Sequence, residues 1–217
     1  MKPFADRDEA GLLLGQALAG LDPAPGPGAL VLGIPRGGVI VAAAAAGVIG
    51  ADLDVTVPAK IRAPHQPELA IGAVGPDGGV WLDGAAVAAL AIPEEVLDAQ
   101  VRAAWQEVLR RTAAFRGDRP PPSVTGRFVV LVDDGIATGA TIAAAARSLR
   151  AQAPARLVVA VPVAPGQAVQ QLAAEVDQVV CLASPEPFLA VGQWYRDFRQ
   201  VGDDAVRQAL SATGRKP

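Results

Sequence analysis

Two adjacent carboxylates, Asp133 and Asp134, stand between the apolar run Phe128-Val129-Val130-Leu131-Val132 and the small-residue stretch Gly135-Ile136-Ala137-Thr138-Gly139-Ala140-Thr141. An unbroken apolar run of this length suits a strand buried on both faces, as in a parallel sheet. The loop after such a strand can aim successive backbone N–H groups at a phosphate, and the following helix adds its positive N-terminal end. Gly139 lets the backbone approach a ligand closely, and Thr138 and Thr141 add hydroxyl donors. Two carboxylates would repel a bare phosphate. They accept hydrogen bonds readily from a sugar diol. The run therefore reads as a cradle for a phosphorylated sugar such as ribose 5-phosphate.

Val129 to Thr141 resembles, without a gap, the signature of the type I phosphoribosyltransferases, which use phosphoribosyl pyrophosphate (PRPP). That signature is four apolar residues, two acids, two mostly apolar residues and a small-Thr-Gly-x-Thr/Ser loop. The resemblance implies that Asp133 and Asp134 take the ribose 2- and 3-hydroxyls. It likewise assigns the 5-phosphate to Ala137, Thr138, Gly139, Ala140 and Thr141. The alternative is an ordinary strand–turn–helix with a polar turn.

PRPP also has a pyrophosphate end. Leu30 to Gly33 reads as a strand that enters Ile34-Pro35-Arg36-Gly37-Gly38 and then a helix. Arg36 can present a planar fork to phosphate oxygens, and the glycines clear space for backbone N–H groups. The family carries its pyrophosphate loop at this place, often with Arg or Lys before Gly, and Arg36 and Gly37 match it. The family often has an unusual cis peptide there, so one is expected within 34–37. Lys60 is the internal one of three lysines. The resemblance supports it as a second pyrophosphate cation opposite Arg36; the competing reading is a solvated surface lysine. Arg62 to Ala70 reads as irregular and sits where the family carries a loop that closes over substrate. Glu68 in it could bind magnesium-linked water or a base amine. His65, the single histidine, is read as a surface loop residue because no triad partner or ligand set accompanies it.

Val191-Gly192-Gln193-Trp194-Tyr195-Arg196-Asp197-Phe198 resembles the hood over the nucleobase in purine-salvage members of the family. Phe188, Trp194 and Phe198 are candidates for the acceptor site, with packing against the sheet edge as the alternative. Asp197 matches an acid that can help hold magnesium, the cofactor the resemblance implies, otherwise held mainly by substrate. Ala137 stands where 6-oxopurine enzymes often carry a third Asp, which argues against hypoxanthine or guanine. Adenine-like, orotate-like and unrelated acceptors stay open. The wider resemblance is to a bacterial branch sharing Gly-Ile-Pro-Arg-Gly-Gly-Val, Pro-Glu-Leu-Ala-Ile-Gly-Ala-Val and the signature run. It covers most of the chain and identifies no acceptor.

These residues need elements to position them. Asp6 is an expected N-cap for a helix through Leu18, with Gly20 as its stop. Ala29–Gly33 is expected as a strand, Gly38–Ile49 as a helix and Asp54–Pro58 as a strand. A hairpin of 71–74 and 80–82 should turn at Gly75-Pro76-Asp77-Gly78. Pro93, at a first helical position, should open a helix to about Phe115, its apolar stripe being Leu97, Val101, Ala104, Trp105, Val108 and Leu109. A strand at Phe128, a helix over 140–151, a strand over 157–161, a helix over 165–174 and a strand over 178–182 complete an alternating series. The expected class is α/β, a central mainly parallel sheet with helices on both faces, in one phosphoribosyltransferase-like domain over 1–217. Residues 62–126 are expected to form a small α+β insertion subdomain, Asp118–Gly126 to be a linker, and Gly214–Pro217 to be a frayed tail.

At 217 residues and 51% hydrophobic, the chain can bury a substantial core. A net charge of −3 and no dense basic run argue against a nucleic-acid partner. No N-terminal signal pattern is visible, and the charge-free stretch Gly37–Ala51 is shorter than the ~20 residues a bilayer needs. A cytoplasmic protein without a membrane partner is expected, and a homodimer is admissible. Cys181, the single cysteine, reads as a buried inert thiol rather than a nucleophile. Magnesium-dependent phosphoribosyl transfer from PRPP to a nitrogenous acceptor, with release of pyrophosphate, is the function these features imply. The alternative is a PRPP- or nucleotide-binding regulator on the same fold. A third reading, a receiver-like or Rossmann-type α/β domain, finds no Gly-x-Gly-x-x-Gly fingerprint in this sequence to support it.

Overall fold

Alternate residues of each central strand face opposite sides, and both sides are apolar. Val130 and Val132 of the signature strand join one core cluster, and Val129 and Leu131 join another. Such a strand needs helices above and below it. The computed structural model, which describes residues 2–117 and 119–212 apart from the side chains of Pro67 and Glu68, supplies them. The elements are α1 (Arg7–Ala19), β1 (Leu30–Gly33), α2 (Gly37–Ile49), β2 (Asp52–Val55), β3 (Ala59–Ala63), β4 (Gln66–Val74), β5 (Val80–Leu82), α3 (Gly84–Ala89), α4 (Glu94–Arg116), β6 (Phe128–Val132), α5 (Ala140–Ala151), β7 (Arg156–Val163), α6 (Gly166–Ala173), β8 (Gln178–Ala183) and α7 (Asp203–Ala212), with a 3-10 turn at Val191–Trp194.

The main sheet has five parallel strands in the order β2-β1-β6-β7-β8. Leu14 and Leu18 of α1, Val39 to Ile49 of α2 and Val206 and Leu210 of α7 close one face. Ile142 to Leu149 of α5 and Ala168 and Leu172 of α6 close the other. Each fully buried Val or Leu stabilises by roughly 1.5–3 kcal/mol, so both faces bind their helices firmly. The expected α/β class is therefore observed, its central sheet wholly parallel.

A second sheet, β3-β4-β5, is antiparallel. Ala59, Ile61, Ala63, Ile71 and Val74 turn one face of it onto Ala104 and Val108 of α4. It docks on α5, where Arg147 lies 4.5 Å over the Trp81 ring and Ser148 bonds to Asp77. A Cβ on Gly75 would come 2.5 Å from the Ser148 Cβ, so this approach requires glycine.

Several expectations change. Residues 62–70 are not irregular: they are the end of β3, a turn and the start of β4, with register shifts around Arg62. The alternation Ala59-Lys60-Ile61-Arg62-Ala63 buries every second side chain, a strand signal masked by the nearby prolines. His65 holds the turn with φ +64 and is exposed. Lys60 lies within β3, a strand of the second sheet. Pro93 is the N-cap of α4 rather than its first helical residue. Leu109 leaves the α4 stripe and is 45% exposed. Helices α3 and α7 were not anticipated. Cys181 lies inside β8, half-buried, with Sγ 3.1 Å from the Ala183 carbonyl. The Gly214–Pro217 tail and the Glu68 side chain fall outside what is described.

Helix α1 matters beyond packing, since it starts at the sheet's functional end. It caps on Asp6, whose side chain accepts from Glu9 N–H at 2.9 Å. It crosses α2 so closely that a Cβ on Gly11 would lie 2.5 Å from the Val41 carbonyl oxygen, and one on Gly15 2.7 Å from the Val48 Cβ. Gly47, on the exposed side of α2, has nothing within 4 Å of such a Cβ. Gly11→Ala should therefore destabilise by about 1–3 kcal/mol through overpacking, lowering Tm by roughly 2–10 °C for a chain of this size. Gly47→Ala should leave Tm unchanged or raise it, because a helical Ala loses less entropy on folding. Thermal melts of the two variants check this; equal effects would remove the close-packing account.

Candidate functional site

The chain leaves β1 for β2 on one side and later returns as β6 on the other. The break in strand order therefore falls between β1 and β6, whose register is Leu30↔Val129 through Gly33↔Val132. A crevice outside the carboxyl ends of the strands is expected at such a break. Both glycine loops emerge there, and Ile34 N–H still donates to the Val132 carbonyl at 2.9 Å.

Beyond that bond the two loops touch. A Cβ on Gly37 would sit 1.8 Å from Oδ2 of Asp134, and one on Gly38 would sit 2.8 Å from the Asp133 Cα. The glycines of the first loop thus make room for the acid pair of the second. The Pro35–Arg36 peptide bond is cis, within the expected segment. Arg36, Gly37, Asp133, Asp134 and Thr141 all line one open cavity of about 500 Å³.

The helix starts differ in what surrounds them. α1, α4 and α7 carry acids in their first turns, and α1 and α3 have side-chain caps. α2 and α5, which follow the two loops, have neither, a feature α6 shares. The first N–H groups of α2 and α5 take no side-chain cap, and such groups can bind an anion. Gly139 caps α5 with φ +82, a left-handed conformation that favours glycine. Ala137 and Thr138 are exposed in the loop, and Gly139, Ala140 and Thr141 are partly exposed.

The acid pair is electrostatically uneven. Asp133 accepts from Asp134 N–H at 2.8 Å. Burial, and then the Asp134 charge, hold its carboxyl well above the usual carboxylate range. Asp134 instead pairs with Arg7, with Nε 2.8 Å from Oδ2 and both side chains largely buried. Tyr195 hydroxyl donates to the Asp134 backbone carbonyl at 2.5 Å, and burial keeps that phenol protonated, its pKa pushed far up. Arg7 and Tyr195 were missed by sequence reasoning. A visible signal existed for Arg7: it is a cation in the first turn of a helix, where the dipole disfavours it.

Phe198 lines the cavity of the acid pair, and Lys60, Phe188, Trp194 and Asp197 lie outside it. Lys60 lines a separate cavity of about 430 Å³ with Arg62, Glu107, Arg111 and Thr141. Phe188, Trp194 and Phe198 do come together, packed around Phe4, Val163 and Tyr195. The Phe198 ring carries the Arg7 guanidinium 4.0 Å from its centroid. Asp197 is bound by Arg199, with Nη2 2.7 Å from Oδ2, and those hydrogen bonds hold its carboxyl below the usual range. Among the described residues no three His, Cys, Asp or Glu side chains gather to hold a metal. Two carboxylates in a cavity that also offers room for phosphates do fit magnesium, which binds through few protein ligands plus substrate oxygens.

The phosphoribosyl transferase domain model matches residues 21–188, a span containing both loops and the acid pair. A Mycobacterium tuberculosis H37Rv protein, provisionally named a phosphoribosyl transferase, is 47% identical over 206 residues, covering 95% of this chain and 46% of that protein. The chain therefore spans about half the length of the curated relatives it matches. The crystal structure of the Thermus thermophilus protein TT1426 superposes with a TM-score of 0.82 at 42% identity, over 97% of this chain and 98% of that one. Among the described residues no helix is long and apolar enough to cross a membrane. The parallel sheet and its flanking helices match the type I phosphoribosyltransferase fold, and the chain belongs to the phosphoribosyl transferase domain family.

Proposed function

We propose that the protein transfers a phosphoribosyl group from PRPP to a nitrogenous small-molecule acceptor, releasing pyrophosphate. One observation carries this reading: a single cavity is lined by Arg36 and Gly37 of one loop, the Asp133–Asp134 pair, and Thr141 of the other loop. A 1-pyrophosphate, a 2,3-diol and a 5-phosphate are the three parts of PRPP.

The 5-phosphate rests on the 137–141 loop and the start of α5. Asp133 and Asp134 accept from the diol, and Arg7 holds the Asp134 carboxylate in place. The C1–oxygen bond breaks with its electron pair going to pyrophosphate, and the acceptor nitrogen lone pair forms the new bond to C1. The proton of that nitrogen passes to solvent. Arg36 and the N–H groups that begin α2 stabilise charge growing on the leaving group. The carboxylates ease positive charge developing on the sugar. Most of the acceleration then comes from position and electrostatics, so no protein nucleophile is needed. Magnesium, bound with the substrate, would supply Lewis-acid neutralisation of the pyrophosphate; Asp197 would act on it only after release from Arg199. Residues 62–126 serve in this reading as an insertion subdomain beside the site. A cytoplasmic setting suits these substrates.

A second reading, a PRPP-binding regulator, draws on the packing of Phe188, Trp194 and Phe198 and on the guanidinium covering Phe198. A pyrophosphate-release screen with PRPP, magnesium and a panel of bases and amines separates the two. An enzyme releases pyrophosphate with the right acceptor only; tight PRPP binding without turnover on any acceptor favours the regulator. Asp133→Asn/Asp134→Asn should weaken PRPP binding by about 10- to 100-fold. Undiminished binding would refute the diol assignment.

Proton linkage gives an independent check. The free-state Asp133 pKa is raised, whereas a diol donates best to the ionised form, so binding lowers that pKa. A group whose pKa falls on binding releases its proton. Ribose 5-phosphate should release more protons from wild type than from Asp133→Asn, and wild-type affinity should gain more as pH rises through the Asp133 titration. Calorimetry in buffers of different ionisation enthalpy measures this. Equal release by both proteins would contradict it.

A further inference from the structure

Helix α4 turns a stripe inward at Ala104, Val108 and Phe115, which are buried. The spacing of that stripe, four, three, then four, places Arg111 at the remaining inward position. An arginine on an apolar stripe calls for a compensating partner. Arg111 Nη2 donates to the Pro35 carbonyl at 3.2 Å, at the start of the loop that carries Arg36. Among the described residues its one ion pair is weak, with Nε 4.0 Å from Oε1 of Glu107. That carboxylate is already bound by Arg110 through two hydrogen bonds of 2.8 Å.

Arg111 also stands where cavities meet. It lines the 430 Å³ cavity of Lys60 and Thr141 and an adjoining one of about 400 Å³ with Arg36, Arg110 and Asp203. The first shares Thr141, and the second shares Pro35 and Arg36, with the cavity of the acid pair. Their charged lining residues are Arg36, Lys60, Arg62, Arg110 and Arg111 against Glu107 and Asp203. Asp203 meets Arg36 only at 3.4 Å. Gathering like charge in a partly closed space is unfavourable unless a polyanion is held there. Burial presses the Arg111 pKa down; Glu107 and Asp203 oppose this while Arg110 and Arg36 add to it, and a guanidinium stays charged at neutral pH.

We propose that Arg111, supplied by the helix that follows the second sheet, binds the pyrophosphate of PRPP together with Arg36, so that α4 is part of the active site. The proposal rests on the PRPP reading above, and goes beyond it in assigning a site residue outside both glycine loops. Its planar fork can keep one N–H on the Pro35 carbonyl and turn others to phosphate oxygens. Arg36 and Arg111 would then grip the leaving group from the main sheet and from α4, with Lys60 in the cavity that Arg111 also lines.

The test is calorimetric titration of the full chain, wild type, Arg111→Gln and Arg111→Lys, with inorganic pyrophosphate, ribose 5-phosphate and PRPP, each with magnesium. Arg111→Gln should weaken pyrophosphate and PRPP by about 10- to 100-fold and ribose 5-phosphate by less than about twofold. Arg111→Lys keeps the charge but loses the fork, so its losses should be intermediate. A merely structural role would weaken all three ligands alike. If Arg111→Gln does not fold, by its thermal melt, Arg111→Lys decides the matter through the same selectivity. Pyrophosphate affinity unchanged in the variants, or no wild-type pyrophosphate binding, overturns the proposal. Arg111-dependent pyrophosphate binding without any ribose 5-phosphate binding would keep Arg111 as an anion ligand and refute the PRPP reading instead.

Discussion

Parallel pairing of β1 with β6 is the constraint on which the site depends. Because Gly33 lies opposite Val132, the loops that follow leave the sheet at the same level. The next residues are forced together, and only glycines at 37 and 38 leave space for two aspartates. Two uncapped helix starts, α2 and α5, then flank a carboxylate pair. Neither loop could recognise a doubly phosphorylated sugar alone. In the proposed reading they present, side by side, positive ends for two phosphates, with acceptors for hydroxyls between them.

That pairing is held from outside the loops. α1 lies on α2 through Gly11 and Gly15, which brings Arg7 over Asp134 and Phe198. An acid pair buried together repels itself; Arg7 removes part of that cost by pairing one member. On the other side α4 reaches back to Pro35 through Arg111 and to β2 through Arg116, whose Nη2 lies 2.8 Å from the Val55 carbonyl. The second sheet and its helix are thereby tied to the first loop by hydrogen bonds as well as by apolar packing.

The legible parts of the sequence were those whose signal is local. Val129 to Thr141 carries strand pattern, acids and loop chemistry in consecutive residues, and Arg36-Gly37 follows a short apolar strand. Asp6 and Gly20 announce helix ends in single residues. What stayed hidden depends on distant packing. Arg7 is marked only by its place in the first turn of a helix, and nothing adjacent to Tyr195 announces that it reaches Asp134. Arg111 differs only in sitting on an apolar stripe, which is visible once the stripe is drawn through Ala104, Val108 and Phe115. The β3–β4 hairpin was obscured because Pro64 and Pro67 read as loop, although 59–63 alternates cleanly. α7 was passed over, yet Val206 and Leu210, four apart, bury one face behind acids at 203 and 204. The aromatics near the C-terminus allowed either stacking or packing; they pack on one another, and Phe198 also lines the cavity of the acid pair.

The central claim, that the two loops hold the two ends of one sugar with its diol on Asp133 and Asp134, is tested most directly by a crystal structure of the PRPP complex. The account predicts the ribose 2- and 3-oxygens about 2.5–3.2 Å from those carboxylates, the 5-phosphate within the 137–141 loop and the pyrophosphate beside Arg36 and Gly37. PRPP bound with its sugar hydroxyls away from both aspartates, or with its two phosphate ends exchanged, would contradict it.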